Sequence, residues 1–144
     1  MSTEQVRETM EGYLDALSAR GDYGRYFAED VLFEVLWSDM RIRGAQEVEQ
    51  TIRFLHEVAF DAHPEVGEVL VGERGAAAEF VFAGTHTGEF GGVAPSGNTV
   101  RVPYSVFYEV AAAKITVLRV YLPIDQLVAQ ARGELVGSGG AAAQ

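Results

Sequence analysis

A chain of 144 residues, 48% hydrophobic and 22% charged, has the size and balance of one compact domain and is too apolar to be disordered. Its net charge of −10, with only 11 Lys and Arg spread along it, excludes a basic face for nucleic acid or an anionic membrane. Cysteine is absent, which excludes disulfides, thiol nucleophiles and thiolate metal sites together. No apolar run approaches the roughly 20 residues of a membrane span, and Ser2 to Gln5 do not read as the start of an export signal. These features predict a cytoplasmic protein.

In chain order, Val6, Met10, Tyr13, Leu14 and Leu17 recur at helical spacing, opposite Arg7, Glu8, Glu11 and Asp15. Ser2 with Gln5 three residues later forms a capping box, and Gly21 stops the helix. Asp22 to Phe27 predict a short helical turn. Val31 to Trp37 predict a strand, with Val31, Phe33, Val35 and Trp37 on one face. A polar loop over 38–44 leads into a helix from Ala45 to about Ala59, striped by Val48, Ile52, Leu55 and Ala59. Four strands follow, near Glu65–Gly72, Ala76–Gly88, Val100–Val110 and Lys114–Leu122, separated by turn signals. A helix from Ile124 to about Ala131 precedes a Gly/Ala-rich segment from Gly137, predicted to be a flexible tail on a single domain of residues 1–136.

Long strands joined by short links make an antiparallel meander, and helices grouped ahead of them must cover one of its faces. The predicted fold class is therefore α+β. A strongly curved, mostly antiparallel sheet wraps around N-terminal helices as a cone-shaped half-barrel, with an apolar pocket between the layers.

This order of elements, with YLDAL at Tyr13–Leu17, YFAED at Tyr26–Asp30, GTHTGEF at Gly84–Phe90 and GVAPSG at Gly92–Gly97, resembles the SnoaL-like polyketide cyclases. Those share a superfamily with ketosteroid isomerase, limonene epoxide hydrolase and the nuclear transport factor fold. The resemblance runs from about Glu4 to Ala131, and its most specific part is Gly84–Gly97. It implies a homodimer built on the outer sheet face, a deep pocket, and aldol ring closure by Asp and His groups without metal or cofactor. Residue by residue, the pattern is altered. Family aspartates of the last strand align with Val120 and Pro123, and those of the isomerase with Val35 and Ser105. The tyrosine and asparagine of the epoxide hydrolase align with Phe33 and Val35. His86 is the acid–base position kept, and Tyr13 matches the isomerase's first-helix tyrosine.

Enolisation and aldol closure need a base next to a carbonyl and a donor for the resulting oxyanion. His86 shares a strand face with Phe80, Phe82 and Gly84, which points it into the pocket; the alternative is a rim histidine bonded to a backbone carbonyl. Asp39, in the loop beyond Trp37, is the remaining carboxylate for a base, or else a solvated loop residue. Tyr13 is an oxyanion donor or plain core. His56, on the stripe of Val48 and Ile52, faces the cavity or sits at the helix edge, while His63 reads as surface and Asp125 as a helix cap. Phe33, Val35, Trp37, Phe80, Phe82, Ser105, Phe107 and Val120 are the expected lining. Arg119 and Tyr121 fall on the outer face with Glu79. Three scattered histidines offer no metal site.

The expected function is a cofactor-independent cyclase or isomerase of a small hydrophobic, polyketide-like substrate. The alternatives are a non-catalytic carrier of a hydrophobic metabolite, an epoxide hydrolase-like enzyme with altered residues, and a dimeric interaction domain with a filled cone.

Overall fold

The computed structural model describes residues 2–134; the expected tail from Gly137 lies outside the described residues. Helix α1 (Thr3–Ser18) and a 3₁₀ turn (Tyr23–Tyr26) precede β1 (Phe27–Val35) and β2 (Arg41–Arg43). Helix α2 (Ala45–Arg53) runs on into a π-helical turn (Phe54–Ala59). Then come β3 (Phe60–Val71), β4 (Gly75–His86), β5 (Thr99–Ala111), β6 (Lys114–Tyr121) and α3 (Ile124–Ala131).

Helix α1 starts on the Ser2–Gln5 capping box, with Ser2 Oγ accepting from the Gln5 amide at 3.1 Å, a device worth about 1 kcal/mol. It ends at Ser18, three residues before the predicted glycine. Arg20, not Gly21, takes the left-handed conformation (φ 54°), and the Gly21 and Arg20 amides donate back to Ala16 and Leu17. A side chain there costs about 1–2 kcal/mol, and the Arg20 guanidinium offsets it. Its Nη2 donates to the carbonyls of His56 (3.1 Å) and Ala62 (3.0 Å) and to Asp61 Oδ1 (2.8 Å), tying α1 to the π turn and β3.

The six strands form one open sheet in the order β2-β1-β6-β5-β4-β3. All neighbours are antiparallel except β1 and β6, which run parallel with Phe33 beside Leu118. Register shifts at Val66/Val69 and Glu109/Val110 bend the long strands. The sheet curls as a half-barrel around α1 and α2, and one core runs from Val6, Met10 and Leu14 through Val31, Phe82 and Val102 to Leu127.

Three residues of the expected lining do not face the pocket. Trp37 does not continue the inward face of β1. The strand ends at Val35, where Ser38 Oγ donates to the Val35 carbonyl (2.8 Å) and accepts from the Met40 amide (3.1 Å). Trp37 takes φ 63° in that turn and stands 86% exposed, edge-on to Tyr121 at 5.9 Å. Ser105 and Phe107 also face outward. Pairing sets Phe80 opposite Tyr104 and Glu79 opposite Ser105, so Tyr104, Val106 and Tyr108 take the inner face. Phe107 is 40% exposed and carries the Arg119 guanidinium over its ring at 4.9 Å. Arg119 and Tyr121 lie on that outer face, but Arg119 pairs with Glu109 at 2.8 Å.

Candidate functional site

Between the concave sheet face and α1, α2 and the π turn lies an apolar cavity of about 50 Å³, room for a few small atoms at roughly 10–15 Å³ per water. The expected residues Tyr13, Phe33, Val35, His56, Phe80, Phe82 and Val120 line it, and so do Tyr104, Val106, Tyr108 and Leu118. No Asp, Glu, Lys or Arg is among its lining. Phe80 and Tyr104, a cross-strand pair, stack at 5.1 Å, while the Tyr13 and Tyr108 rings meet edge-on at 5.7 Å.

The cavity's polarity comes from three phenols and one imidazole. The Tyr13 and Tyr108 rings are neighbours, and Tyr104 lies near both. Burial pushes the Tyr13, Tyr104 and Tyr108 phenols well above their ordinary range, so all three remain neutral donors. Tyr104 and Tyr108 escaped the sequence reading. The signal for them was the charge parity of β5, where Arg101 and Glu109 mark the outer face. The ring of His56 lies 5.1 Å from Phe82, and its Nδ1 is 2.8 Å from the Ile52 carbonyl. Its Nε2 is buried without a partner. Burial holds the imidazole below its usual range, with the Ile52 hydrogen bond opposing.

His86 is not in this cavity, which corrects the reading that pointed it there. It is fully buried in an aromatic cluster, 5.1 Å from Phe60, which in turn meets the cavity-lining Phe82. Its Nδ1 lies 2.9 Å from Ser96 Oγ and accepts from the Ser96 amide at 3.2 Å. Ser96 Oγ and Asn98 Nδ2 donate to the Ala131 carbonyl at 2.6 and 2.9 Å, fastening residues 91–98 to the end of α3.

The surrounding Gly84–Gly88 motif is likewise scaffold. Thr87 and Gly88 amides donate to the Ala59 carbonyl, and Thr87 Oγ1 donates to that of Val58, closing the end of the π turn. Any Cβ on Gly84 or Gly88 would fall 2.2 Å from the Asp61 oxygen or 2.4 Å from that of Val58. Asp39, exposed on the β1–β2 turn, is also outside the cavity lining. Among the described residues, no group of three or more His, Asp or Glu side chains converges to hold a metal ion, and no helix is long and apolar enough to cross a membrane.

Comparison with known proteins agrees with this architecture. A candidate SnoaL-like polyketide cyclase from Jannaschia sp. CCS1 superposes with a TM-score of 0.78 at 19% identity, covering 90% of this chain and 92% of that one. A candidate ketosteroid isomerase from Kribbella flavida DSM 17836 superposes at 0.64, with 25% identity over 84% of this chain and 79% of that one. An epoxide hydrolase of the LEH-like type from M. tuberculosis does so at 0.68, with 18% identity and 93% of each chain covered. A search of curated proteins finds no match. The model of one family, described as SnoaL-like polyketide cyclase, matches residues 7–129, spanning every element from α1 to most of α3. With the open curled sheet and its helix-roofed cavity, that match places the chain in the SnoaL-like polyketide cyclase family.

Proposed function

We propose that this protein is a cofactor-independent cyclase or isomerase of a small hydrophobic, polyketide-like molecule. The observation that carries this reading is the convergence of three neutral phenols, Tyr13, Tyr104 and Tyr108, on an apolar cavity. Neutral donors aimed into a dry site stabilise a developing enolate or alkoxide more than they stabilise the ground-state carbonyl, and that difference is what catalyses. Apolar walls meanwhile fold a flexible chain for ring closure. A ring-forming substrate exceeds the present volume, so binding displaces side chains of the wall.

The test is mass spectrometry of the protein with apolar metabolites extracted from its source. A bound compound is expected to be converted to an isomer or to its dehydrated ring product. Tyr13→Phe should slow that conversion by about 100-fold, the usual effect of deleting an oxyanion donor. A ligand recovered unchanged after long incubation would instead establish a non-catalytic carrier, the second reading, which the uncharged lining favours. Epoxide opening is less well served, because the cavity offers no carboxylate to activate water.

The reading includes a homodimer on the outer sheet face. Leu70, Ala77, Phe107 and Arg119 form a cross-strand row there, flanked by Tyr121, with Leu70 70% exposed. Apolar rows of this kind drive association. Light scattering on a sizing column is expected to give a dimer mass, and Phe107→Glu a monomer. A monomeric parent protein would end the proposal.

A further inference from the structure

Resting on the enzymatic reading above, we infer that His56 is the base of the cavity, its Nε2 taking a proton from the carbon beside the carbonyl of a small, uncharged ketone.

The tautomer is set by the backbone. A carbonyl oxygen only accepts, so the 2.8 Å contact of Nδ1 with the Ile52 carbonyl places the ring's proton on Nδ1. The neutral ring then presents a bare lone pair at Nε2, an atom that is buried and meets no donor from the protein. Buried acceptors are nearly always satisfied, and one left open on a residue lining a cavity calls for a partner from outside the chain. Ring and backbone are each held once. Ile52 fixes Nδ1, and Arg20 Nη2 donates to the carbonyl of His56 itself at 3.1 Å. The π turn carrying it adds a residue to the helical winding, a distortion that recurs at functional sites.

Charge in the surroundings favours the unprotonated ring. Burial is the largest influence, and Arg20, just past α1, and His63 of β3 add to it, against Glu57 on the same turn and the Ile52 hydrogen bond. The cavity's other titratable groups are the neutral phenols. With no cation in the lining, an anionic substrate would be buried unpaired, so an uncharged one is selected.

In the reaction, the Nε2 lone pair forms an N–H bond as the C–H bond breaks. The C–H electron pair becomes the enolate double bond, and the carbonyl π pair moves onto oxygen. The hydroxyl of Tyr13, a residue of the cavity lining, donates to that oxygen. The imidazolium then returns its proton to a different carbon, giving an isomer, or to the alkoxide left by ring closure. No electrons are gained or lost.

Cyclohexanone in deuterium oxide is the probe, followed by proton NMR with the intact protein. The parent protein is expected to catalyse exchange of the α-hydrogens, with an acid limb to the rate below the usual imidazole pKa. His56→Asn keeps a donor for Ile52 and removes the lone pair. It should cut exchange by about 100-fold, within the range for losing a general base, while cyclohexanone binding measured by chemical-shift changes stays within about twofold. Exchange undiminished in His56→Asn overturns the assignment and leaves the cyclase reading standing. A parent protein that binds cyclohexanone and exchanges nothing overturns both. Nitrogen-15 NMR of the parent protein needs no variant: a proton found on Nε2 of His56 at neutral pH overturns the inference by itself.

Discussion

Gly84→Ala is expected to destabilise the protein by at least about 3 kcal/mol, the upper range for forced overpacking, and to lower Tm by roughly 10 °C or more. Gly84 sits in register with Ala62 where β4 meets β3. A Cβ there would lie 2.2 Å from the Asp61 oxygen and 2.5 Å from the Ala62 Cα, both backbone atoms that no rotamer change can clear. The strands must part, and β3 is where the Arg20 guanidinium is anchored, on Asp61 and Ala62. Damage at Gly84 therefore reaches the π turn and His56. Thermal unfolding followed by circular dichroism checks this, and a Tm within about 2 °C of the parent would contradict it.

Phe82→Ala comes next in size and carries two readouts. Phe82 is 2% exposed, and its ring meets Phe60 at 5.2 Å, His56 at 5.1 Å and Tyr104 at 6.5 Å. Truncating a buried phenylalanine costs about 3–5 kcal/mol. One side of this ring already borders the cavity, so fewer contacts are lost and the low end, about 3 kcal/mol, is expected. The deletion also opens the cavity toward Phe60. Urea unfolding should show the loss, while calorimetry should show bulkier apolar ligands binding more tightly than to the parent. A stable variant with unchanged ligand preference would mean that the ring walls off nothing.

How much of this was legible in the sequence depended on whether polar residues marked the faces. On α1 and β4 they did. Charges opposite Val6, Met10 and Tyr13, and Glu79 opposite Phe80, fix both elements as predicted. On β5 the outer face carries Pro103 and Phe107 among Arg101, Ser105 and Glu109, and apolar outliers hid the parity, which cost Tyr104 and Tyr108 their place in the expected site. Trp37 was lost to a turn whose positive φ no alternation rule anticipates. The Gly84–Gly88 motif was read correctly as distinctive and wrongly as chemistry. Its glycines mark backbone contact, and its histidine serves Ser96. His56 was assigned by helical spacing alone, and spacing cannot reveal a π turn or a carbonyl that fixes one ring nitrogen.

The one parallel ladder governs how the molecule assembles. Strands β3, β4 and β5 each pair with the strand that follows and can zip as they emerge from the ribosome, whereas β1, among the described strands, bonds with β6 and the three-residue β2. Contacts between distant parts of a chain form late, because the loop between them must first be closed. Until β6 is synthesised, the edge of β1 over Leu32–Val35 that faces it therefore stays unpaired, a period of risk for aggregation. The last strand to be made admits the first one to the sheet.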